Sequence, residues 1–266
     1  MCAVSGGADS LALLILAVNA GCAATAVHVD HGARDGSGAE ALVVAAAAAR
    51  LGADFEARSV DVAPGPNLEE RWRDARRAVL PPGTLTGHTA DDCAETAILN
   101  LVRGAGLDGL AGIRPGPTKP ILGLRRWETR ALCVSVGLVP VDDPSNLDPA
   151  FRRNRIRHEV LPLLDDIAKR DVVAVLDRQA TLLRDDAELL ERMSADLDPA
   201  DARALAAAPP PLARRAVRRW LADEHPPDAA TVERVLAVAR GEAVACELPG
   251  GDRVERSGMR LRRTCA

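Results

Sequence analysis

Ser5-Gly6-Gly7-Ala8-Asp9-Ser10 stands between a short apolar start, Cys2-Ala3-Val4, and an unbroken apolar run from Leu11 to Val18. A strand that breaks into two glycines and restarts as a helix exposes several backbone N–H groups at the helix N-terminus. There the macrodipole is positive, and the missing Cβ atoms let an anion approach. The stretch therefore reads as a phosphate site between a strand and a helix. It is not the Walker type, because no Gly-Lys-Ser/Thr follows, and not the dinucleotide fingerprint, which needs three glycines at other spacings. Asp9 lies inside the turn, and an acid beside a phosphate is unfavourable unless a cation lies between them, which points to Mg²⁺. The same residues also suit an Asp cap on an ordinary helix after a glycine turn.

Outward from the loop the pattern alternates. Leu11 to Ala20 reads as a buried helix and Ala23 to Asp30 as a strand that ends in His28-Val29-Asp30-His31-Gly32. Ser37 and Glu40 form a capping box for an alanine-rich helix ending near Leu51, and Phe55 to Val62 alternates as a strand. Asn67 is an N-cap for a helix carrying Glu69, Arg71, Arg73, Arg76 and Arg77, and Thr84 to Gly87 is the next strand. Repeated β-α units of this kind predict right-handed crossovers and a parallel sheet covered on both faces. Ligands in such sheets sit at the carboxyl ends of strands, so Asp30 and His31 are expected to face the same crevice as Ser5.

A second cluster, His88-Thr89-Ala90-Asp91-Asp92-Cys93-Ala94-Glu95, follows the fourth strand directly. Asp92 and Glu95 are three apart, on one helical face, and can share a cation or an ammonium group, although acids in a first turn also simply complement the dipole. Arg103-Gly104-Ala105-Gly106, continuing to Gly112, is dense enough in glycine to serve as a lid. Asp142-Asp143-Pro144-Ser145-Asn146 is a turn cluster, and Arg152, Arg153, Arg155 and Arg157 crowd the stretch before Leu161. Such a run reads as a polyanion contact or as a charged helix start. From Asp165 onward the texture is helical with little glycine. Glu247 to Arg262 alternates as a small β-meander, and four arginines, Arg214, Arg215, Arg218 and Arg219, share one helix.

The chain has 266 residues, 47% of them apolar, and a net charge of −4, which is ample for a core and leaves room for one large domain plus a small one. Lys119 and Lys169 are the only lysines. Arginine suits phosphate and base recognition, but a coding bias that also enriches alanine explains the excess more simply. Six cysteines, Cys2, Cys22, Cys93, Cys133, Cys246 and Cys265, include no C-x-x-C pair, so neither a zinc knuckle nor an iron–sulfur cradle is expected and the thiols are read as reduced. No apolar stretch reads as a membrane span or a secretory leader, and the protein is expected to be cytoplasmic.

The ordered set of motifs resembles the tRNA(Ile)-lysidine synthase family within the PP-loop N-type ATP pyrophosphatases. It comprises the Ser5 loop, Val29-Asp30-His31-Gly32, Gly87 to Asp92, Glu95-Thr96, Arg103 to Gly106, Asp143 to Asn146 and Arg153-Asn154-Arg155-Ile156-Arg157. The resemblance implies a doubly wound, five-stranded parallel α/β sheet over residues 1–165, and a mainly helical C-terminal domain with a short meander over 166–266 that contacts tRNA. It implies a ligase that uses ATP and Mg²⁺ to join free lysine to the wobble cytidine of an isoleucine tRNA with a CAU anticodon, working off the membrane and compatible with a homodimer. ATP would meet Ser5, Gly6, Gly7, Ala8, Asp9, Ser10, Asp30, His31 and His88. Asp9 and Asp92 would hold the metal and help deprotonate lysine, and Glu95 would attract its ammonium. Arg73 and Arg103 would neutralise the α-phosphate, and Arg152, Arg153, Arg155 and Arg157 would grip tRNA. Two rivals share the loop: another PP-loop tRNA-modifying enzyme, and a non-catalytic adenine-nucleotide-binding module.

The sequence departs from the family's pattern in three places. It reaches Ser5 almost at once, so either the start is misplaced or the sheet's central strand is cut short. Its Trp72-Arg73-Asp74-Ala75-Arg76-Arg77 lacks the family's tyrosine, and its C-terminal part is brief.

Overall fold

The computed structural model describes residues 1–30, 38–62, 68–223 and 227–264. The chain divides into two compact units, Met1–Leu183 and Arg184–Ala266.

In the first unit, Cys2–Ala3 (β1), Thr25–Asp30 (β2) and Asp54–Ser59 (β3) form a parallel sheet in the order β1-β2-β3, with Cys2 opposite Ala26 and Thr25 opposite Asp54. The crossovers contain Ala8–Asn19 (α1) and Gly38–Leu51 (α2). A helix that is apolar on every side must be buried, and Leu11, Leu13, Leu14 and Ile15 of α1 are buried against Val44, Ala47 and Ala48 of α2. Leu85 adds one parallel bridge to Cys2 on the other edge of β1: the Ala3 N–H donates to the Leu85 carbonyl at 2.8 Å, and the Leu85 N–H to that of Met1 at 2.9 Å. The chain thus runs outward from β1 to β3 and then returns to the far side of β1. Strand order reverses there, which is where a ligand crevice opens in sheets of this kind.

The expected five strands are therefore three strands and one bridge among the described residues. After Leu85 the backbone leaves the sheet, because the Thr86 N–H goes to the Thr118 carbonyl at 2.8 Å. The remaining apolar stretch, Val139-Pro140-Val141, contains a proline that cannot donate to a ladder. It joins the loop through the Val141 N–H, which donates to the Gly6 carbonyl at 2.9 Å. Ser37 and Asn67, read as helix caps, lie outside the described residues.

The unit continues through Leu68–Val79 (α3), Ala90–Val102 (α4), Leu107–Leu110 (α5) and Arg126–Ser135 (α6). Arg152–Arg155 (α7) runs into a π-helical turn, Ile156–Val160, and then into Leu161–Ala168 (α8) and the long helix Val172–Ser194 (α9), whose residues from Arg184 onward belong to the second unit. Ala90, Ala94 and Ile98 of α4 bury against Ile156, Leu161 and Val173, which fixes the arginine-rich turn beside α4. No helix among the described residues is long and apolar enough to cross a membrane.

In the second unit, Ala202–Ala207 (α10), Pro210–Trp220 (α11) and Ala229–Arg240 (α12) pack with the antiparallel sheet Ala245–Glu247 (β4), Arg253–Ser257 (β5) and Arg260–Thr264 (β6). Leu205, Val217, Val235, Leu236, Val254 and Leu261 form its core, and the sheet is the meander read from the sequence.

Candidate active site

The loop after β1 is shaped by its own residues. Gly6 has φ +90°, a conformation that side chains rarely adopt, and Gly7 is the extended N-cap of α1. The Leu11 N–H makes the first intrahelical bond, to the Gly7 carbonyl at 3.0 Å, so the amides of Ala8, Asp9 and Ser10 precede any helical partner. The Ser10 hydroxyl donates to the Gly7 carbonyl at 2.9 Å and accepts from the Ser5 N–H at 3.1 Å, tying the two ends of the turn together. Beneath the loop, His28 Nδ1 lies 3.0 Å from the Val4 carbonyl. Gly87 presses directly on the first turn of α1: a Cβ there would lie 2.7 Å from the Asp9 carbonyl oxygen and 2.8 Å from its carbon.

That close approach brings α4 and its acids to the loop. Asp92 accepts from the Thr89 N–H at 2.8 Å and from the Thr89 hydroxyl at 3.1 Å, closing the first turn. Asp91 accepts from the Arg125 guanidinium at 3.1 Å and from the Arg126 N–H at 2.8 Å, so α4 and α6 meet start to start. Arg126 then reaches three acids at once: Glu95 Oε1 at 2.9 Å, Asp92 Oδ1 at 3.0 Å and Asp9 Oδ2 at 3.5 Å. The Thr129 hydroxyl donates to Asp9 Oδ1 at 2.5 Å.

Glu95 is fully buried, at 0% exposure, yet charged. A carboxylate has about four acceptor positions. Here Oε1 takes Arg126 Nη1 at 2.9 Å and Arg157 Nε at 2.7 Å, while Oε2 takes Arg153 Nε at 2.7 Å and Arg157 Nη2 at 3.1 Å. Every position is filled by arginine. Arg153 Nη2 also lies 3.3 Å from Asp92 Oδ1. Three carboxylates, Asp9, Asp92 and Glu95, thus face three guanidinia, Arg126, Arg153 and Arg157.

The environments separate the acids. Burial, the largest influence, pushes the Glu95 carboxyl up, but the Arg157 hydrogen bonds and the charges of Arg126, Arg157 and Arg153 outweigh it and hold its pKa at about 2. Asp9 goes the other way. Its burial outweighs the Thr129 hydrogen bond and the Arg126 charge, so its pKa is raised. Burial likewise holds the His88 imidazole below its ordinary range, against the pull of Asp92; its Nδ1 lies 2.9 Å from the Thr86 hydroxyl. Arg126 keeps its charge, since Glu95, Asp92 and Asp9 outweigh its desolvation and raise its pKa.

Of the residues singled out in the sequence, the structure gathers Asp9, Asp92, Glu95, Arg153 and Arg157 into one cluster beside the loop. Asp30 ends β2. Arg152 and Arg155 are exposed, and Arg155 pairs with Glu159 at 2.8 Å. Arg103 caps the opposite end of α4, about 16 Å along the axis from Asp92 at 1.5 Å per residue, and does not join the cluster. Arg73 lies on α3, but its side chain is outside the described residues, as is all of His31. Sequence reasoning passed over Arg126, Arg125 and Thr129. The signal available was an arginine pair at a helix start, where cations oppose the dipole unless acids face them.

A family model described as the PP-loop domain matches residues 1–164, and one described as the TilS substrate binding domain matches residues 201–262. A tRNA(Ile)-lysidine synthase of Nocardia farcinica is 44% identical over 238 residues, which is 83% of this chain and 74% of that protein. The chain belongs to the tRNA(Ile)-lysidine synthase family. Another member, from Mycobacterium leprae, is 42% identical over 238 residues, 82% of this chain and 73% of its own. Among solved structures, the U34-tRNA thiolase NcsA from Methanococcus maripaludis, with its [4Fe-4S] cluster, superposes with a TM-score of 0.53. It is 18% identical, over 69% of this chain and 71% of its own, a likeness that concerns the fold alone. The family assignment and the α/β architecture with its parallel sheet agree with the reading of the Ser5 loop.

Proposed function

We propose that this chain is a ligase that joins lysine to the wobble cytidine of an isoleucine tRNA with a CAU anticodon, at the expense of ATP. The observation that carries the reading is the junction of the Ser5 loop with the acid–arginine cluster of α4, α6 and α7, in a chain of the lysidine synthase family. In the first step the cytidine carbonyl oxygen attacks the α-phosphate and pyrophosphate leaves. In the second, lysine's amine attacks the same cytidine carbon and AMP leaves with the electron pair of the C–O bond, while the amine gives up a proton.

The free amides of Ala8, Asp9 and Ser10 suit the departing pyrophosphate. Asp9, whose burial makes it more basic than an ordinary aspartate, suits receipt of the lysine proton. Arg152 and Arg155, exposed beside the cluster, and the second unit are assigned to tRNA; the catalytic domain is taken as 1–165 and the tRNA-contacting domain as 166–266. The expected homodimer is read from the mass in light scattering.

The Mg²⁺ expected between Asp9 and Asp92 does not fit the side chains as arranged. Asp9 Oδ2 and Asp92 Oδ1 both meet Arg126, and Asp92 Oδ2 meets Thr89, so a guanidinium stands where the ion would go. No step above passes through the metal.

Incubation with ATP, lysine and unmodified isoleucine tRNA tests the reading. Pyrophosphate release that requires the tRNA supports it, whereas ATP binding without turnover leaves a nucleotide-binding module.

A further inference from the structure

Glu95 has no acceptor position left for an ammonium group. Its two oxygens take four N–H donors from three arginines at 2.7 to 3.1 Å, and the side chain is sealed from solvent. The arginines, by contrast, are 21% to 28% exposed. Among the described residues, the bonds of Arg153 and Arg157 run through Nε and Nη2, and no partner is drawn to Nη1 of either. A guanidinium gripped along one edge by a carboxylate presents its other edge in a fixed direction, the geometry suited to a second, bidentate anion. The trio is joined to the phosphate loop through Arg126, which also meets Asp9.

We propose that Glu95 is a positioning residue rather than the lysine ligand. Its buried carboxylate fixes Arg126, Arg153 and Arg157 beside the Ser5 loop, so that the arginines meet the phosphates of ATP during adenylation. The ammonium of lysine is left to Asp9, which holds one hydroxyl bond and a guanidinium only at 3.5 Å. This inference rests on the proposed adenylation of tRNA, and if the wild-type chain shows no tRNA-dependent pyrophosphate release, that reading fails before any variant is compared.

The test separates the half-reactions. Pyrophosphate release is measured against ATP without lysine, and product formation against lysine, for the wild type, Glu95→Gln, Glu95→Asp and Arg157→Gln. Losing the charge-assisted grip should cut pyrophosphate release in Glu95→Gln by about 10- to 100-fold and leave the KM for lysine within about twofold, with partial recovery in Glu95→Asp. Intact pyrophosphate release with a lysine KM raised tenfold or more overturns the proposal. Arg157→Gln carries the test if Glu95→Gln does not fold. It removes two of the four donors on Glu95 and should lower pyrophosphate release with the lysine KM unchanged. If Glu95 were the lysine ligand, the opened positions would instead lower that KM, which would refute the assignment.

Discussion

Gly87→Ala places a methyl group against main chain that cannot rotate away. Its Cβ would stand 2.7 Å from the Asp9 carbonyl oxygen, 2.8 Å from the Asp9 carbonyl carbon and 3.0 Å from the Ser10 nitrogen. Ordinary contact begins near 3.4 Å. The first turn of α1 must therefore retreat from residue 87 by roughly 0.7 Å, and overpacking of this kind costs about 1–3 kcal/mol. For a unit of this size that is a fall of about 2 to 12 °C in melting temperature. The functional loss should be larger than the stability loss suggests. The displaced atoms are the amides assigned to pyrophosphate and the backbone of Asp9, and a shift near 1 Å at a reacting centre can cost about 100-fold in rate. The assay is tRNA-dependent pyrophosphate release at a temperature well below the melting transition. Gly123→Ala is the control, because its Cβ would meet nothing within 4 Å. Gly87→Ala with wild-type melting and wild-type release would refute the claim that this contact sets the loop.

Acid should loosen the cluster in a defined window. The folded pKa of Glu95, about 2, lies below its ordinary 4.5, so its contribution is complete above about pH 4.5 and is lost as pH falls toward 2. The full amount is about 3 kcal/mol, of which about 2 kcal/mol is lost between pH 7 and pH 3, read as the change in the stability difference between wild type and Glu95→Gln in urea melts at the two pH values. Asp9→Asn should raise the KM for lysine in product formation by about tenfold or more, while pyrophosphate release without lysine and tRNA affinity, measured by filter binding, stay within about threefold, since phosphate contacts elsewhere supply most of that affinity. Asn154 is buried and donates to the Ser145 and Asp148 carbonyls at 2.7 and 2.9 Å. Asn154→Ala should cost about 1–3 kcal/mol in a thermal melt. It should also expose the 142–148 turn to proteolysis.

The loop was legible because its signals are local. Two glycines between Val4 and the apolar run from Leu11 can be read without knowing anything distant, and α1 and β2 followed from the same pattern. The missing strands were less legible: Thr84–Gly87 was read as a strand from its place in the alternation, and Val139–Val141, though apolar, was assigned to none. What withdraws them is the Thr86 bond to Thr118 and the proline at 140, the first of which is tertiary. The cluster shows the limit most clearly. Asp92 and Glu95 were identified from a three-residue spacing, but Glu95's partners lie 31, 58 and 62 positions away, and no periodicity links α4 to α6 and α7. Arg153 and Arg157 were read as a polyanion contact from their density alone, whereas folding turns them onto a buried acid. Arg126 left one trace, an arginine pair opening a helix against its dipole, which becomes meaningful only beside the acids it meets.

The account stands on one reaction, and the nucleoside made is its most direct readout. Unmodified isoleucine tRNA is incubated with the chain, ATP and lysine, digested to nucleosides and weighed by mass spectrometry. The wobble cytidine should gain the mass of lysine less one water, with one pyrophosphate released per tRNA modified and neither product formed when tRNA or ATP is withheld. An unchanged cytidine, with ATP bound or hydrolysed regardless of tRNA, would contradict the assignment of this site to lysidine synthesis.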